Sequence, residues 1–173
     1  MMAMETPAAT RKGFWAYTDP EEALASYHFK LKPGKDEPEY ELDAGIFLHG
    51  VCGIFALALA DVFLYDIELA YEKPEPGEAM KEDLASCANR LVHIYCKKQV
   101  GEKTYYVDVR GIVENWETFY GTSFSDWDLG GRMGVPNADC TNLVAATMSA
   151  KEFDAYYHAA IEIILRSRDA YAV

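Results

Sequence analysis

Basic side chains are scarce in this sequence. Sixteen lysines and arginines stand against 28 aspartates and glutamates, a formal charge of −12. A chain so short of cations lacks the positive footprint that tracks phosphates, which excludes nucleic acid as a partner. Long hydrophobic runs are also missing. The longest, Gly53 to Tyr65, is broken by Asp61 and is too short to span a bilayer, so no membrane partner is expected. The opening MMAMETPAATRKGFWAYTDP holds no apolar block of signal-peptide length, and a cytoplasmic location is the expectation. Cysteine is sparse: Cys52, Cys87, Cys96 and Cys140 form no C-x-x-C pair and read as free thiols in a reducing compartment. Repeats and low-complexity tracts are absent. What remains is an ordinary globular composition, 50% hydrophobic and 25% charged, with length for one domain and a real core.

Local pattern divides the chain. Residues 1–13 read as a loose leader. In TDPEEALASYHF, Asp19 is a cap, Pro20 a first helical residue and Glu21 and Glu22 first-turn acids, which predicts a helix. KLKPGKDEPEYELDAG reads as a charged surface loop. Ile54, Phe55, Ala58, Leu59 and Val62 recur at helical spacing, predicting a buried helix from Cys52 to Tyr65. After the loop EKPEPGEAM comes a short helix, Glu78 to Asn89. RLVHIYCKK and KTYYVDVRG, rich in β-branched and aromatic residues, predict two strands. VENWETFYG predicts a short helix, and TSFSDWDLGGRMGVPNADCTNL a long loop. Ser149-x-x-Glu152 is a capping box opening a helix whose stripe is Phe153, Tyr156, Tyr157, Ala160, Ile161, Ile164 and Leu165. The order gives an α+β fold.

HGVCGIF places Cys52 between Gly50 and Gly53 at the start of the buried helix. If the two strands form a hairpin turning between Val100 and Gly101, Val92 faces Val109, Ile94 faces Val107 and Cys96 faces Tyr105, all on one apolar side. On the other side Tyr95 faces Tyr106 and His93 faces Asp108. A histidine held by a carboxylate has a fixed tautomer and can deprotonate a thiol. The free N–H groups of a helix N-terminus favour the resulting anion, so a thiol pKa below the free value of about 8.5 is expected at Cys52. The same N–H groups suit a tetrahedral oxyanion. Nucleophile, base and orienter occur in the order Cys52, His93, Asp108.

GVCGIFALAL, LVHIYC and YYVDVRG together resemble the papain-like superfamily of cysteine peptidases, taken broadly to include transglutaminase-like domains. The resemblance covers about residues 45–112. It implies a papain-like architecture, a helical N-terminal part with a central cysteine-bearing helix packed on a small antiparallel sheet. By position it makes Cys52 the nucleophile, His93 the general base and acid, and Asp108 the orienting group. The activity implied is that of a thiol hydrolase or acyl-transferase (peptidase, isopeptidase, amidase or deamidase) acting on a peptide or protein without a cofactor. Many papain-type peptidases carry an upstream glutamine as oxyanion donor, yet no Gln or Asn precedes Cys52. Ser26, Tyr27, His28 and His49 are the upstream alternatives, with Gly50 and Gly53 allowing close backbone approach and Trp127 as a cleft-lining aromatic. Gly53-Ile54 after the cysteine departs from the lysosomal pattern and points to microbial, phage and toxin-associated relatives.

Other readings compete. Cys52 can be a core residue. Arg110, two residues from Asp108 on the same face, can take the carboxylate in a salt bridge and leave His93 without its orienter. His93-x-x-Cys96 resembles part of a zinc set, but on a strand the two side chains point to opposite faces, so no metal is expected. A catalytically silent papain-like fold, working as an interaction or effector protein through its acidic surface, is the alternative function.

Overall fold

The computed structural model describes residues 12–79 and 81–173. A 3-10 turn, Gly13–Ala16, precedes α1 (Pro20–Ala25), β1 (His28–Leu31), β2 (Tyr40–Asp43), α2 (Ile46–His49), α3 (Cys52–Phe63) and β3 (Asp66–Glu72). Then come α4 (Leu84–Ala88), β4 (Leu91–Val100), β5 (Lys103–Asp108), β6 (Gly111–Val113), α5 (Trp116–Phe124) and β7 (Leu129–Val135). Three helices close the chain: α6 (Asn137–Ala145), α7 (Ala150–Arg166) and α8 (Arg168–Tyr171). Strands β3 to β7 make an antiparallel sheet ordered β6-β5-β4-β3-β7, and β1 and β2 pair by themselves. The fold is α+β.

Period-two alternation sorts the sheet's side chains into two cores. Ile67, Leu69, Ile94, Cys96 and Val107 face α3, while Ala70, Tyr95 and Tyr106 meet Trp15 and Phe119 on the α5 side. Helix α3 lies between the sheet and α7, so Cys52 through Ala60 are all buried. This is why its sequence is apolar all round rather than striped. It ends at Leu64, in the left-handed region with φ 60°, two residues before β3 begins. The capping box of α7 forms as expected: Glu152 N–H donates to Ser149 Oγ at 3.1 Å, and Ser149 N–H to Glu152 Oε1 at 3.2 Å. Of its stripe, Ala160 and Ile164 are buried, but Leu165 is 54% exposed.

Several expectations are corrected. The charged segment around Pro33 and Gly34 is a hairpin, β1–β2, so the N-terminal part is not purely helical. Asp66–Glu72, to which periodicity assigned no element, is the strand between β4 and β7. The long loop after α5 holds β7 and α6. The helix after EKPEPG shrinks to Leu84–Ala88, capped by Asp83. Most of the leader lies outside the described residues, but Lys12 N–H donates to Ile112 O at 3.1 Å, attaching residue 12 to β6.

The hairpin register also differs. Cys96 pairs with Val107, Lys97 with Tyr106 and Val100 with Lys103, a shift of two residues from the expected pairing. The turn is Gly101-Glu102, with positive φ at Gly101 alone, the pattern of a type II′ turn. A two-residue shift keeps every side chain on its face, so the division into apolar and polar sides survives. It makes His93 and Asp108 diagonal neighbours rather than directly opposed ones.

Candidate active site

Local structure aims each member of the Cys52, His93, Asp108 set. Asp108 ends β5, and its Oδ1 accepts from the backbone N–H of Arg110 at 2.8 Å, closing the Val109-Arg110 turn into β6. Gly111 follows with φ 113°, and a Cβ there would run into the Lys12 carbonyl. His93 sits where the β3–β4 register slips between Ala70 and Tyr71, a bulge of the kind that re-aims side chains beside functional sites. Its Nε2 meets Asp108 Oδ2 at 2.8 Å. Diagonal neighbours lie within reach of side chains this long.

Cys52 is the first residue of α3, preceded by Val51, which offers no side-chain cap. The β4–β5 ladder ends at Cys96–Val107. Two residues further along β4, the N–H of Ile94 donates to Cys52 Sγ at 3.4 Å, so sulfur serves this amide as acceptor where the pairing with β5 has stopped. The thiol, held on the α3 side, therefore reaches the backbone of the residue next to His93. The imidazole lies on the α5 side, stacked on Phe124 at 4.5 Å between centroids and on Tyr95 at 5.8 Å.

The carboxylate serves both claimants. Arg110 Nη2 donates to Asp108 Oδ2 at 2.7 Å, and Arg110 Nε lies 3.1 Å from each oxygen. The competition between His93 and Arg110 is thus resolved as sharing, and the pair is buried, with Asp108 3% and Arg110 0% exposed. Burial alone would raise the Asp108 pKa, but the Arg110 charge and the His93 hydrogen bond leave it well below the usual carboxylate range. An ionised carboxylate only accepts, so Nε2 carries a proton. The other nitrogen, Nδ1, is buried with no hydrogen-bond partner among the described residues.

Burial governs the thiol. It pushes Cys52 up to about 11, the Ile94 amide working against it and the Asp108 charge with it. The expected low-pKa thiol is therefore not what the closed site holds, because desolvation outweighs the helix N-terminus. Burial likewise lowers the His93 pKa; Asp108 opposes that shift and Arg110 adds to it.

The accessory candidates separate. His49 joins the site's surroundings: its ring meets Phe124 edge-on at 5.4 Å, and its Nε2 pairs with Glu21. Gly53 is a packing glycine, since a Cβ there would lie 2.5 Å from Val144 Cγ2 and 3.2 Å from Ile94 Cδ1. Gly50 is exposed at the end of α2, its N–H bound to Ile46 O at 2.9 Å. Ser26 spends its hydroxyl on Glu22 O at 3.1 Å, and His28 pairs with Glu41 across the β1–β2 hairpin. Trp127 is 47% exposed, with its carbonyl bound by the Tyr120 hydroxyl. Cys96 donates to Ala56 O at 3.2 Å on the α3 side, away from His93. Phe119 and Phe124, which roof the imidazole, were not anticipated. Trp116, Phe119, Tyr120 and Phe124 recur at helical spacing, but that pattern does not name the face they cover.

No family model, no curated protein and no solved structure matches this chain.

Proposed function

We propose that the protein is a cysteine-dependent acyl-transfer enzyme of papain-like architecture, with Cys52 as nucleophile, His93 as base and acid and Asp108 as orienter. One observation carries this: a buried imidazole whose Nε2 is bound to an ionised carboxylate while its Nδ1 has no partner among the described residues, with a thiol at a helix N-terminus held by the amide of the next residue, Ile94. A core histidine normally satisfies both nitrogens. In the reaction, Sγ bonds to an acyl carbon as its proton passes to Nδ1 and the carbonyl pair moves onto oxygen. Collapse then expels the leaving group, protonated from Nδ1, and water releases the thioacyl enzyme. As the first two residues of α3, Cys52 and Gly53 carry N–H groups free of helical hydrogen bonds, which suit the oxyanion. Substrates of this chemistry are peptide, isopeptide or glutamine side-chain amides.

Burial favours a second reading, a silent fold that acts by binding. Cys52 is 8% and His93 1% exposed, and open clefts lie between the β1–β2 hairpin and α7 and beside α1. A panel of peptide, isopeptide and glutaminyl amides, read by amine and ammonia release, separates the two. The enzyme reading expects turnover of at least one class that vanishes in Cys52→Ala. Release equal in both proteins, or none with any class, supports the silent fold.

A further inference from the structure

Arg110 is a buried charge that the acyl-transfer reading leaves without a task. It is wholly buried, with its guanidinium between the rings of Trp15, at 4.4 Å, and Phe119, at 4.6 Å. Its Nη1 donates to Ser123 Oγ at 3.0 Å, and its Nε and Nη2 donate to Asp108. Burying a permanent cation carries a large desolvation penalty that an apolar residue in the same slot would avoid.

Its position relative to His93 indicates a role. Asp108 Oδ2 accepts from Arg110 Nη2 at 2.7 Å and from His93 Nε2 at 2.8 Å. The single negative charge already faces one cation, and a protonated His93 would set a second on the same oxygen. Among the described residues, the other titratable groups in this region are Cys52 from α3, which accepts from the amide of the next residue, Ile94, His49 from α2 across Phe124, and Tyr95 on β4, whose hydroxyl is given to Glu68. Helix α5 packs Phe119 and Phe124 against the ring. The set Arg110, Asp108, His93 and Cys52 is neutral overall with an uncharged thiol and imidazole. It stays neutral when the proton crosses from Sγ to Nδ1, but that form needs two more charges in a dry site.

We propose that Arg110 is a positioning residue that fixes Asp108 and, by matching its charge, holds Cys52 and His93 at rest as a neutral thiol and a neutral imidazole. The thiol proton then moves only as sulfur bonds to the acyl carbon, in contrast to a site that rests as a thiolate–imidazolium pair. The inference rests on Cys52 being the nucleophile and specifies how it is activated. The raised Cys52 and lowered His93 values point the same way.

The test reads the pH profile of Cys52 alkylation by iodoacetamide, resolved by site with mass spectrometry, and needs no turnover. Profile shape is used because access to the buried thiol scales the rate without changing the shape. In the native protein the rate should rise about a hundredfold or more between pH 7 and pH 10, with no plateau near neutrality. Arg110→Met leaves Asp108 to His93 alone, and the profile should flatten to about a tenfold rise or less; Arg110→Lys, which restores the charge, should recover the steep form. Nitrogen-15 shifts of His93 in the native protein at pH 7 give an independent readout, expected to show a neutral ring protonated at Nε2, and they decide the matter if Arg110→Met does not fold. An imidazolium signature, a neutral plateau in the native protein, or a steep profile retained in folded Arg110→Met overturns the proposal. Failure of the amide panel with these profiles intact would remove the enzymatic reading instead.

Discussion

Asp108 joins three parts of the site at the scale of one side chain: the Arg110 guanidinium, the His93 ring and the turn into β6. Removing it strands a buried cation, so Asp108→Ala should lower stability by about 3–5 kcal/mol, far above the ~1 kcal/mol of a surface pair. Urea unfolding measures this, and a loss below about 1 kcal/mol would mean that Arg110 finds water or another partner. Cys52 gives a second residue-scale expectation. Its folded pKa is raised to about 11, so its contribution to stability is fully present below the unfolded value near 9 and is lost as pH rises toward 11. Cys52→Ala should therefore remove about one proton from the alkaline slope of the unfolding free energy, the share due to Cys96 and Cys140 remaining. An unchanged slope would place the thiol in water.

Among the elements, α3 depends on the absence of one methyl group. Gly53→Ala gains helix propensity but drives a Cβ to 2.5 Å from Val144 Cγ2, and should destabilise by about 1–2 kcal/mol on balance. Val144→Ala in the same chain should recover part of that loss, and a thermal-melt cycle of the two substitutions would show the coupling. The elements also show what the sequence displays and what it conceals. Helix α3, the α7 capping box and the strands β4 and β5 were legible because periodicity and caps are local signals. Strand β7 was not, because Gly130, Gly131 and Gly134 offer no side chains to form a pattern, and its extended state comes from pairing with β3. Strand β3 alternates, yet Glu68 occupies a buried position that makes sense only beside Tyr95 and Lys97, which lie on another strand. Of the candidate site, the His93–Asp108 contact and the face that carries it were legible. Its register was misplaced by two residues, since hydrophobic alternation is blind to a shift of two. Its burial was missed because the aromatic roof comes from α5.

Over the whole molecule, two acid-side effects oppose each other. Protonating carboxylates as pH falls relieves the self-repulsion of a chain carrying −12. His93 acts in the other sense: its folded pKa is lowered, so the unfolded chain takes up a proton below about 6.5 that the folded site refuses. Stability assigned to the neutral ring is therefore full above that pH and declines below it. The stability difference between the native protein and His93→Gln isolates this part, and should fall by up to about 1.4 kcal/mol per pH unit below 6.5. A constant difference would show that the ring takes up its proton in the folded state.

The claim on which the rest depends is that one thiol among four, in one protein of this charge and fold, accepts an acyl group with the help of His93. Mixing the protein with p-nitrophenyl acetate, following the nitrophenol burst and mapping the acetyl group by mass spectrometry measures this directly. A burst of about one equivalent should place the acetyl group on Cys52, disappear in Cys52→Ala and slow by about a hundredfold or more in His93→Asn. A burst that survives Cys52→Ala, or acetyl spread evenly over Cys52, Cys87, Cys96 and Cys140, would contradict it.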